Sequence, residues 1–301
     1  MHDKNKSTIF VSIASYRDSE CYYTIKDIFN KAYNPNRVFI GVVWQSMPGI
    51  DSINMQNDYG DNVIIATIDA RESHGVCWAR HKVQELWDGQ DFYLQIDSHS
   101  RFINNWDIIL FEELDKCKAD KAILSTICMY YIPPDEYGPL SATTMIINGF
   151  NKDSRLPFFK GIRHAENILN PVLSPWVCGH FLFCSSNIIS ECPYDPYLYF
   201  YGEEISLAAR LWTSGWNIFA PSRAIVFHGY SVIHRHWVDH KNGSLLNQMA
   251  HKRVRHLLGI ETTDDHNVLK DIDKYSLGSC RSLSEYENFA RIDLRNNLII
   301  K

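Results

Sequence analysis

An aspartate, a serine and a histidine, Asp97-Ser98-His99, follow the mostly apolar and aromatic run Phe92 to Ile96. The run predicts a buried strand, and residues at the carboxyl end of such a strand occupy the edge where α/β sheets bind ligands. Side chains at positions i and i+2 can both reach one ion, and an oxygen with a nitrogen ligand suits Mn²⁺ or a similar divalent cation. The triplet alone leaves open a turn aspartate beside a surface histidine.

A third ligand for such an ion could come from the C-terminal half of the chain. His228 ends a short strand predicted at Ala224 to Phe227, so it too would lie at the edge of a sheet. His234 and His236 lie close to it in sequence and compete for the same role, and a buried hydrogen-bonded histidine is the ordinary alternative. The strand-end position favours His228.

Two adjacent carboxylates, Glu203 and Glu204, open a predicted helix that extends to Ser214. At a helix N-terminus the macrodipole favours negative charge, so helix capping is one interpretation of the pair. The other is that one carboxylate faces a polar pocket and binds sugar hydroxyls while its neighbour braces the loop. The spacing leaves both interpretations open.

Charged residues near the first strand and in the helix before Asp97 could meet a nucleotide. Asp18, beside Arg17, would contact a base or ribose, and Arg80 a pyrophosphate, since guanidinium groups bind phosphates through paired hydrogen bonds. Surface ion pairs are the alternative for these residues. The aromatic residues that could form apolar walls or stack on a sugar, or else pack in the core, are Tyr16, Trp78 and Trp176.

The elements that must position these residues alternate along the first half of the chain between short β-branched runs and helical patterns. Such alternation is typical of βαβ units with a mostly parallel sheet. The predicted strands are Thr8–Ala14, Arg37–Trp44, Val63–Ile68, Phe92–Ile96, Ala122–Cys128 and Thr143–Ile147, and helices are predicted after Asp18 or Ser19, from Val76 and after Asn104. Residues 133–176 have no regular pattern and could be a substrate-facing region or an irregular structural lobe. Helical patterns at Leu245–Leu258 and Ser282–Ile292 predict a small helical C-terminal extension.

Length and composition limit the function. The 301 residues fit one large α/β domain, and 45% of them are hydrophobic. With 30 basic and 35 acidic residues the net charge is −5, which argues against the broad basic surface of a nucleic-acid-binding protein. A polar start and the lack of an apolar stretch of about 20 residues argue against a signal peptide and a membrane span. Eight cysteines without CxxC pairs predict reduced core thiols and a cytoplasmic location.

Several segments together resemble the GT-A fold glycosyltransferases. The likeness is greatest to the family of N-acetylglucosaminyltransferases that includes the cytoplasmic enzyme modifying hydroxyproline on a ubiquitin-ligase adaptor, and the polypeptide N-acetylgalactosaminyltransferases are more distant. The segments are IFVSIASYRD (9–18), GVVWQ (41–45), GVCWARHKVQ (75–84), LQIDSHSRF (94–102), YGEEISLAARLWTSGW (201–216) and KRVRHLLG (252–259). With Trp106-Asp107 and His228, the resemblance covers residues 7 to 260.

The resemblance implies a Rossmann-like α/β fold of the GT-A type, with a mixed, mostly parallel sheet flanked by helices. Residues 1–235 would form the catalytic domain, with a nucleotide-sugar half at 7–105 and an acceptor half at 120–235. Residues 236–301 would form the helical extension packed on it.

The resemblance also implies a metal-dependent retaining transferase that moves a sugar from a UDP-sugar to a hydroxyl on a protein or glycan. GlcNAc is the first candidate for that sugar. Asp97 and His99, which form a DxH motif, and His228 would hold the metal. The metal would be Mn²⁺, with Mg²⁺ as the alternative. The implied catalytic residues are Glu203, Glu204 and Arg80. The implied donor-binding residues are Ser15, Tyr16, Arg17, Asp18, Trp78, Arg80, Asp97, Ser98 and Trp176. The acceptor is not predicted, because the pair Gly179-His180 stands before the Phe-Leu-Phe strand, where the family usually has small residues.

The chemistry expected of such a site follows from charge. Cleavage of the anomeric C–O bond places negative charge on the β-phosphate, which a metal ion and Arg80 would stabilise. Retention is expected from attack on the face that the phosphate leaves, with double displacement through a glutamate as the rival. The alternatives are an inverting transferase with Glu204 as base, a non-catalytic nucleotide-sugar- or glycan-binding module, and a phosphoesterase, which commonly needs more metal ligands.

Overall fold

The computed structural model describes residues 6–51, 58–164, 168–231 and 235–300. Its α-helices are α1 (Glu20–Lys31), α2 (Val76–Gln84), α3 (Trp106–Lys116), α4 (Asn187–Glu191), α5 (Glu203–Thr213), α6 (His236–Asp239), α7 (Gly243–Leu257) and α8 (Leu283–Ala290). Its strands are β1 (Ile9–Tyr16), β2 (Val38–Ser46), β3 (Val63–Asp69), β4 (Phe92–Asp97), β5 (Ser100–Phe102), β6 (Ala122–Leu124), β7 (Met129–Ile132), β8 (Glu136–Tyr137), β9 (Thr143–Phe150), β10 (Pro157–Arg163), β11 (Val172–Ser174), β12 (Phe181–Ser185), β13 (Asn217–Ala220), β14 (Val226–His228), β15 (Ile292–Asp293) and β16 (Leu298–Ile299). His234, one of the residues weighed above as a ligand, lies outside the described residues.

One large mixed sheet has the strand order β11-β13-β6-β12-β4-β1-β2-β3. The β1–β2, β2–β3, β1–β4 and β6–β13 pairs are parallel. Strand β12 runs antiparallel to both β4 and β6, and β11 runs antiparallel to β13. The mixed, mostly parallel sheet predicted from the sequence is therefore confirmed. Strand β1 lies inside this sheet with helices on both faces, which explains its nearly continuous apolar sequence.

Helices cover both faces of the large sheet. Alternate residues of a strand point to opposite faces, and accordingly Ile9 and Phe10 belong to two different core clusters. The cluster that contains Ile9 is completed by apolar side chains of α1 and α3, among them Ile25 and Trp106. The cluster that contains Phe10 is completed by α2, α5, α7 and α8, including the fully buried Tyr286.

A smaller sheet, in the order β5-β14-β7-β8, begins directly after β4. Strand β5 starts three residues beyond Asp97 and pairs antiparallel with β14, in a register that places Ser100 opposite His228. The backbone N–H of Gly229 also donates to the carbonyl of His99 over 2.9 Å. This pairing is what brings a histidine from the C-terminal half next to the Asp97-Ser98-His99 triplet.

Residues 133–176, for which the sequence predicted one strand within irregular loops, hold more regular structure. Strand β9 extends to Phe150 and forms an antiparallel hairpin with β10, and β11 forms an edge of the large sheet. The sequence of β10, PFFKGIR, contains proline and glycine, which hide its strand character. The strand predicted at Ala122–Cys128 is also too long, because the Ser125 and Thr126 hydroxyls donate to carbonyls of other segments just beyond Leu124.

The C-terminal residues form helices at both predicted places, α7 and α8. Their apolar side chains join the cluster that contains Phe10. A buried ion pair fixes α7, since Arg253 Nε donates to Asp195 Oδ2 over 2.7 Å and both side chains are at most 3% exposed. Among the described residues there is no helix both long enough and apolar enough to span a bilayer.

Candidate active site

A cavity of about 480 Å³ opens where several elements of the two sheets end. Tyr16 reaches it from the end of β1, Asp97 from the end of β4 and His228 from the end of β14. Glu203 and Glu204 reach it from the first turn of α5. The cavity thus lies at the carboxyl ends of the parallel strands, the place where open α/β sheets bind ligands.

Asp97 is the shared acceptor of this site. Arg80 Nη2 donates to its Oδ1 over 2.7 Å, and His228 Nε2 lies 3.2 Å from its Oδ2. His99 Nε2 lies 3.8 Å from the same Oδ2. Burial opposes ionisation of Asp97, but His228 and the Arg80 guanidinium outweigh it and hold the pKa of Asp97 well below its ordinary value. Asp97 is therefore an ionised carboxylate, as a cation ligand must be.

His99 is oriented by Asp18, a residue predicted to contact the nucleotide. His99 Nδ1 lies 2.7 Å from Asp18 Oδ2, which also accepts a 2.6 Å hydrogen bond from Ser98 Oγ. Burial lowers the pKa of His99, but the Asp18 hydrogen bond and the charge of Asp97 outweigh this, so the pKa is raised. Because Nδ1 faces Asp18, Nε2 is the nitrogen that faces Asp97.

A third histidine, His180, lies against His228 and was not predicted as a site residue. Its ring stacks on that of His228 with centroids 4.2 Å apart, and its Nε2 accepts the backbone N–H of Cys128 over 3.0 Å. Burial and the neighbouring His228 hold the pKa of His180 well below its ordinary value, so the ring is neutral. Its only sequence signal was the unusual Gly179-His180 pair before the Phe-Leu-Phe run of β12.

The donor atoms around Asp97 fit a divalent cation. Two imidazole nitrogens approach one carboxylate oxygen, and neutral imidazole with carboxylate is a donor set that Mn²⁺ and similar ions accept. Burial lowers the pKa of His228, which favours the neutral form that a ligand needs, whereas the raised pKa of His99 means that a bound cation has to displace a proton from that ring. The Asp18–His99 hydrogen bond is the arrangement that usually orients a metal-binding histidine. Asp97, His180 and His228 also have donor atoms within 4.8 Å of one another, but the Cys128 N–H already occupies His180 Nε2.

Arg80 joins the two halves of the cavity. Its guanidinium donates to Glu203 as well as to Asp97, and its side chain is only 4% exposed. Tyr194 Oη donates to the same Glu203 oxygen over 2.8 Å. Both ends of the guanidinium are held by carboxylates, so Arg80 fixes Asp97 and Glu203 in place. Because Arg80 also lines the cavity, its contact with a pyrophosphate stays a prediction.

The backbone at Gly179 leaves room for Arg80. A Cβ at this position would lie 2.7 Å from Arg80 Nη1, closer than real Cβ atoms come to a neighbour, and 3.0 Å from Glu203 Oε1. The Gly179 carbonyl accepts a 2.6 Å hydrogen bond from Gln95 Nε2, so the backbone cannot readily move aside.

The two glutamates of α5 have different environments. Glu203 is paired with Arg80, whereas Glu204 Oε1 accepts the backbone N–H of Gly179 over 2.9 Å. Burial, with the charge of Glu203 adding to it, raises the pKa of Glu204 to about 7 despite that hydrogen bond. Glu204 therefore exchanges a proton near neutral pH, and Glu203 is the glutamate that braces the site.

Arg17 and Tyr16 tie the end of β1 to the C-terminal segment. Arg17 pairs with Asp51 over 2.8 Å and with Asp239 over 2.9 Å. Tyr16 Oη donates to the same Asp239 over 3.0 Å, and its ring lines the cavity. Arg17 therefore supports the cavity wall through its ion pairs.

Four of the residues predicted to bind the donor do not line the cavity, namely Arg17, whose ion pairs are given above, and Ser15, Trp78 and Trp176. Ser15 is fully buried in β1, and the Trp78 ring packs edge-on against His74. Trp176 is 3% exposed and packs against Phe159. For Trp176 these contacts favour packing in the core over stacking on a sugar.

Other residues of the cavity wall carried no distinguishable signal in the sequence. They come from the β10 hairpin, from the loop before α5, from the residues after β14 and from the segment at α6, and they include Phe158, Phe159, Phe200, Tyr230, Arg235 and Trp237. His236, weighed above as an ion ligand, also lines the cavity. Aromatic residues are equally common in cores, so only their position at the cavity distinguishes them.

A family model described as Glycosyltransferase (GlcNAc) matches residues 8–59 and 51–296 of the chain. The search of curated proteins found no match to the chain. Among solved structures, GalNAc-T7 with UDP, GalNAc and Mn²⁺ is similar with a TM-score of 0.63 at 15% identity, over 97% of this chain and 59% of that chain. S. aureus TarS 1-349 in complex with UDP-GlcNAc is similar with a TM-score of 0.51 at 10% identity, over 89% of this chain and 72% of that one.

These likenesses confirm the predicted GT-A fold. At such identities they concern the fold alone. The chain spans less than two thirds of the GalNAc-T7 chain that it matches.

Proposed function

Because the chain belongs to the Glycosyltransferase (GlcNAc) family, we propose that it transfers a sugar, GlcNAc first among the candidates, from a UDP-sugar to a hydroxyl acceptor. The observation that carries the proposal is the convergence of Asp97, His99 and His228 on one point of a 480 Å³ cavity. The similar structures of GalNAc-T7 with UDP and of TarS with UDP-GlcNAc support a UDP-sugar as the donor.

A divalent cation, Mn²⁺ with Mg²⁺ as the alternative, would be held by Asp97, His99 and His228. When bound, it would supply Lewis-acid stabilisation of negative charge on the leaving diphosphate. The protein's own part is to keep the three donors in place. Asp18 orients His99 and Arg80 fixes Asp97, so neither ligand has to reorganise when charge develops.

The environments of the two glutamates favour one of the two routes to retention of configuration, the one in which the acceptor attacks on the face that the phosphate leaves. In this route the acceptor oxygen bonds to the anomeric carbon, the C–O bond to UDP breaks, and a phosphate oxygen of UDP takes the acceptor proton. A glutamate nucleophile is less well supported, because Glu203 is engaged by Arg80 and Tyr194. Glu204 exchanges a proton near pH 7 and would orient a donor or acceptor hydroxyl; an inverting enzyme would use it as the base. NMR of the product's anomeric centre distinguishes the two outcomes.

For the acceptor, we propose the class that the sequence resemblance implies, a hydroxyl group on a protein or on a glycan. A cytoplasmic location is proposed with it. Seven of the eight cysteines are at least partly buried as free thiols, which suits a reducing compartment.

The proposal is tested by hydrolysis of a panel of UDP- and GDP-sugars, with water in place of the acceptor. We expect release of UDP from UDP-GlcNAc with Mn²⁺, and none with excess chelator or with Asp97→Ala. Binding of UDP without turnover of any sugar nucleotide, even with hydroxyproline peptides and saccharides added, would favour a binding module. No binding of UDP would refute the proposal.

A further inference from the structure

We propose that His180 is a positioning residue for His228, whose ring it holds by stacking in place of the hydrogen bond that usually orients a metal-binding histidine. The inference rests on the metal site of the proposed function and concerns a residue that the family resemblance does not provide. It starts from a difference between the two histidines that face Asp97.

The imidazoles of His99 and His228 are supported differently on the side away from Asp97. His99 Nδ1 is 2.7 Å from the Asp18 carboxylate. His228 Nδ1 is buried and has no hydrogen-bond partner among the described residues. A metal-binding histidine nearly always uses its second nitrogen to fix the orientation of its ring. For His228 that support is lacking, so another contact must define the ring plane.

Aromatic rings supply this contact on several sides of His228. His180 stacks on it at 4.2 Å with an angle of 24° between the planes. Tyr230 meets it edge-on at 4.5 Å, and His99 does so at 4.7 Å. Stacked and edge-on rings together leave the His228 plane little freedom to rotate. Of the three, His180 covers the ring face and so determines its tilt.

The His180 ring is itself held rigidly. Its Nε2 accepts the Cys128 N–H over 3.0 Å, and Cys178 Sγ lies 3.3 Å from its Nδ1. The preceding Gly179 is bonded through its carbonyl to Gln95 and through its N–H to Glu204. A ring whose acceptor nitrogen already binds a backbone N–H is suited to serve as a support, and poorly suited to bind the ion.

Two substitutions separate stacking from ligation. His180→Phe and His180→Leu both remove the nitrogen that accepts from Cys128, but only phenylalanine keeps a flat ring against His228. The 301-residue chain is titrated with Mn²⁺ alone, free Mn²⁺ is read by EPR, and thermal unfolding of each variant checks its fold. His251→Leu is the matched control, since it makes the same change at an imidazole that packs on another ring, Tyr201, and does not line the cavity.

We expect the leucine variant to bind Mn²⁺ about 10- to 100-fold more weakly, the range for lost support of a ligand. The phenylalanine variant should stay close to the wild type, and so should the His251 control. Equal loss in the two His180 variants, at unchanged thermal stability, would show that the nitrogen matters and would overturn the proposal in favour of ligation. Unchanged binding in the leucine variant would overturn it as well. A wild-type protein that binds no Mn²⁺ would refute the metal site itself, a result distinguishable from the other two.

Discussion

The Glu204→Gln substitution is expected to make the chain's stability less sensitive to rising pH. Burial raises the pKa of Glu204 from its ordinary 4.5 to about 7 in the folded chain. A carboxyl group with a raised folded pKa contributes its full stability below pH 4.5 and loses that contribution as the pH rises through about 7. Glutamine stays neutral throughout and keeps accepting the Gly179 N–H through its amide oxygen.

The size of the effect follows from the two pKa values. The difference between 4.5 and about 7 corresponds to about 3.4 kcal/mol for complete titration. Between pH 5 and pH 8 the wild type should lose about 2.5 kcal/mol through this group alone. Glu204 is partly exposed at the cavity wall, so this is an upper value.

The assay is urea unfolding of the wild type and Glu204→Gln with chelator present at several values between pH 5 and pH 8. The free energy of unfolding of the variant minus that of the wild type cancels all other titrating groups and should rise with pH. Glu112→Gln makes the same chemical change on an exposed part of α3 and should give a constant difference. If Glu204→Gln also runs parallel to the wild type, Glu204 is ionised in the fold like any surface carboxylate, and the argument from burial is wrong.

Three further substitutions test other contacts. Asp18→Asn should weaken Mn²⁺ binding about 10- to 100-fold by weakening the support of His99, as read by EPR titration; unchanged affinity would contradict this role. Gly179→Ala should lower stability by about 1–3 kcal/mol and reduce kcat, because its Cβ would lie 2.7 Å from Arg80 Nη1; wild-type thermal unfolding would show that the guanidinium can yield. Trp176→Phe should lower the free energy of unfolding by about 1 kcal/mol and leave the donor KM unchanged; a raised KM at full stability would place this ring at the donor.

The strands of the nucleotide half could be predicted because each is a short apolar run bounded by polar residues. Phe92–Ile96 could be recognised as buried, and a buried parallel strand must end at the ligand-binding edge, so Asp97 followed directly. His228 could be placed at a strand end by the same reasoning. In these cases the decisive information is local in sequence.

The contacts that complete the site are not local, which is why the sequence did not show them. Arg80 meets Glu203 across 123 residues, and no pattern distinguishes that pair from two ordinary surface charges. His180 acquires its place only through the antiparallel pairing of β12 with β4. Trp176 illustrates the converse, since an aromatic residue in a loop-like sequence can be fully packed once α8 lies over it.

The ion pair between Arg17 and Asp239 also bears on the order in which the chain folds during synthesis. Its partners are 222 residues apart, so at roughly 5–20 residues per second Asp239 leaves the ribosome about 10–40 s after Arg17. During that interval Asp51 can already neutralise Arg17, while Tyr16 still lacks its acceptor. The nascent nucleotide half would thus have its Asp97-Ser98-His99 triplet but neither His228 nor the wall that Asp239 secures. A partly made chain would therefore lack the third ligand and part of the cavity wall until its last third is in place.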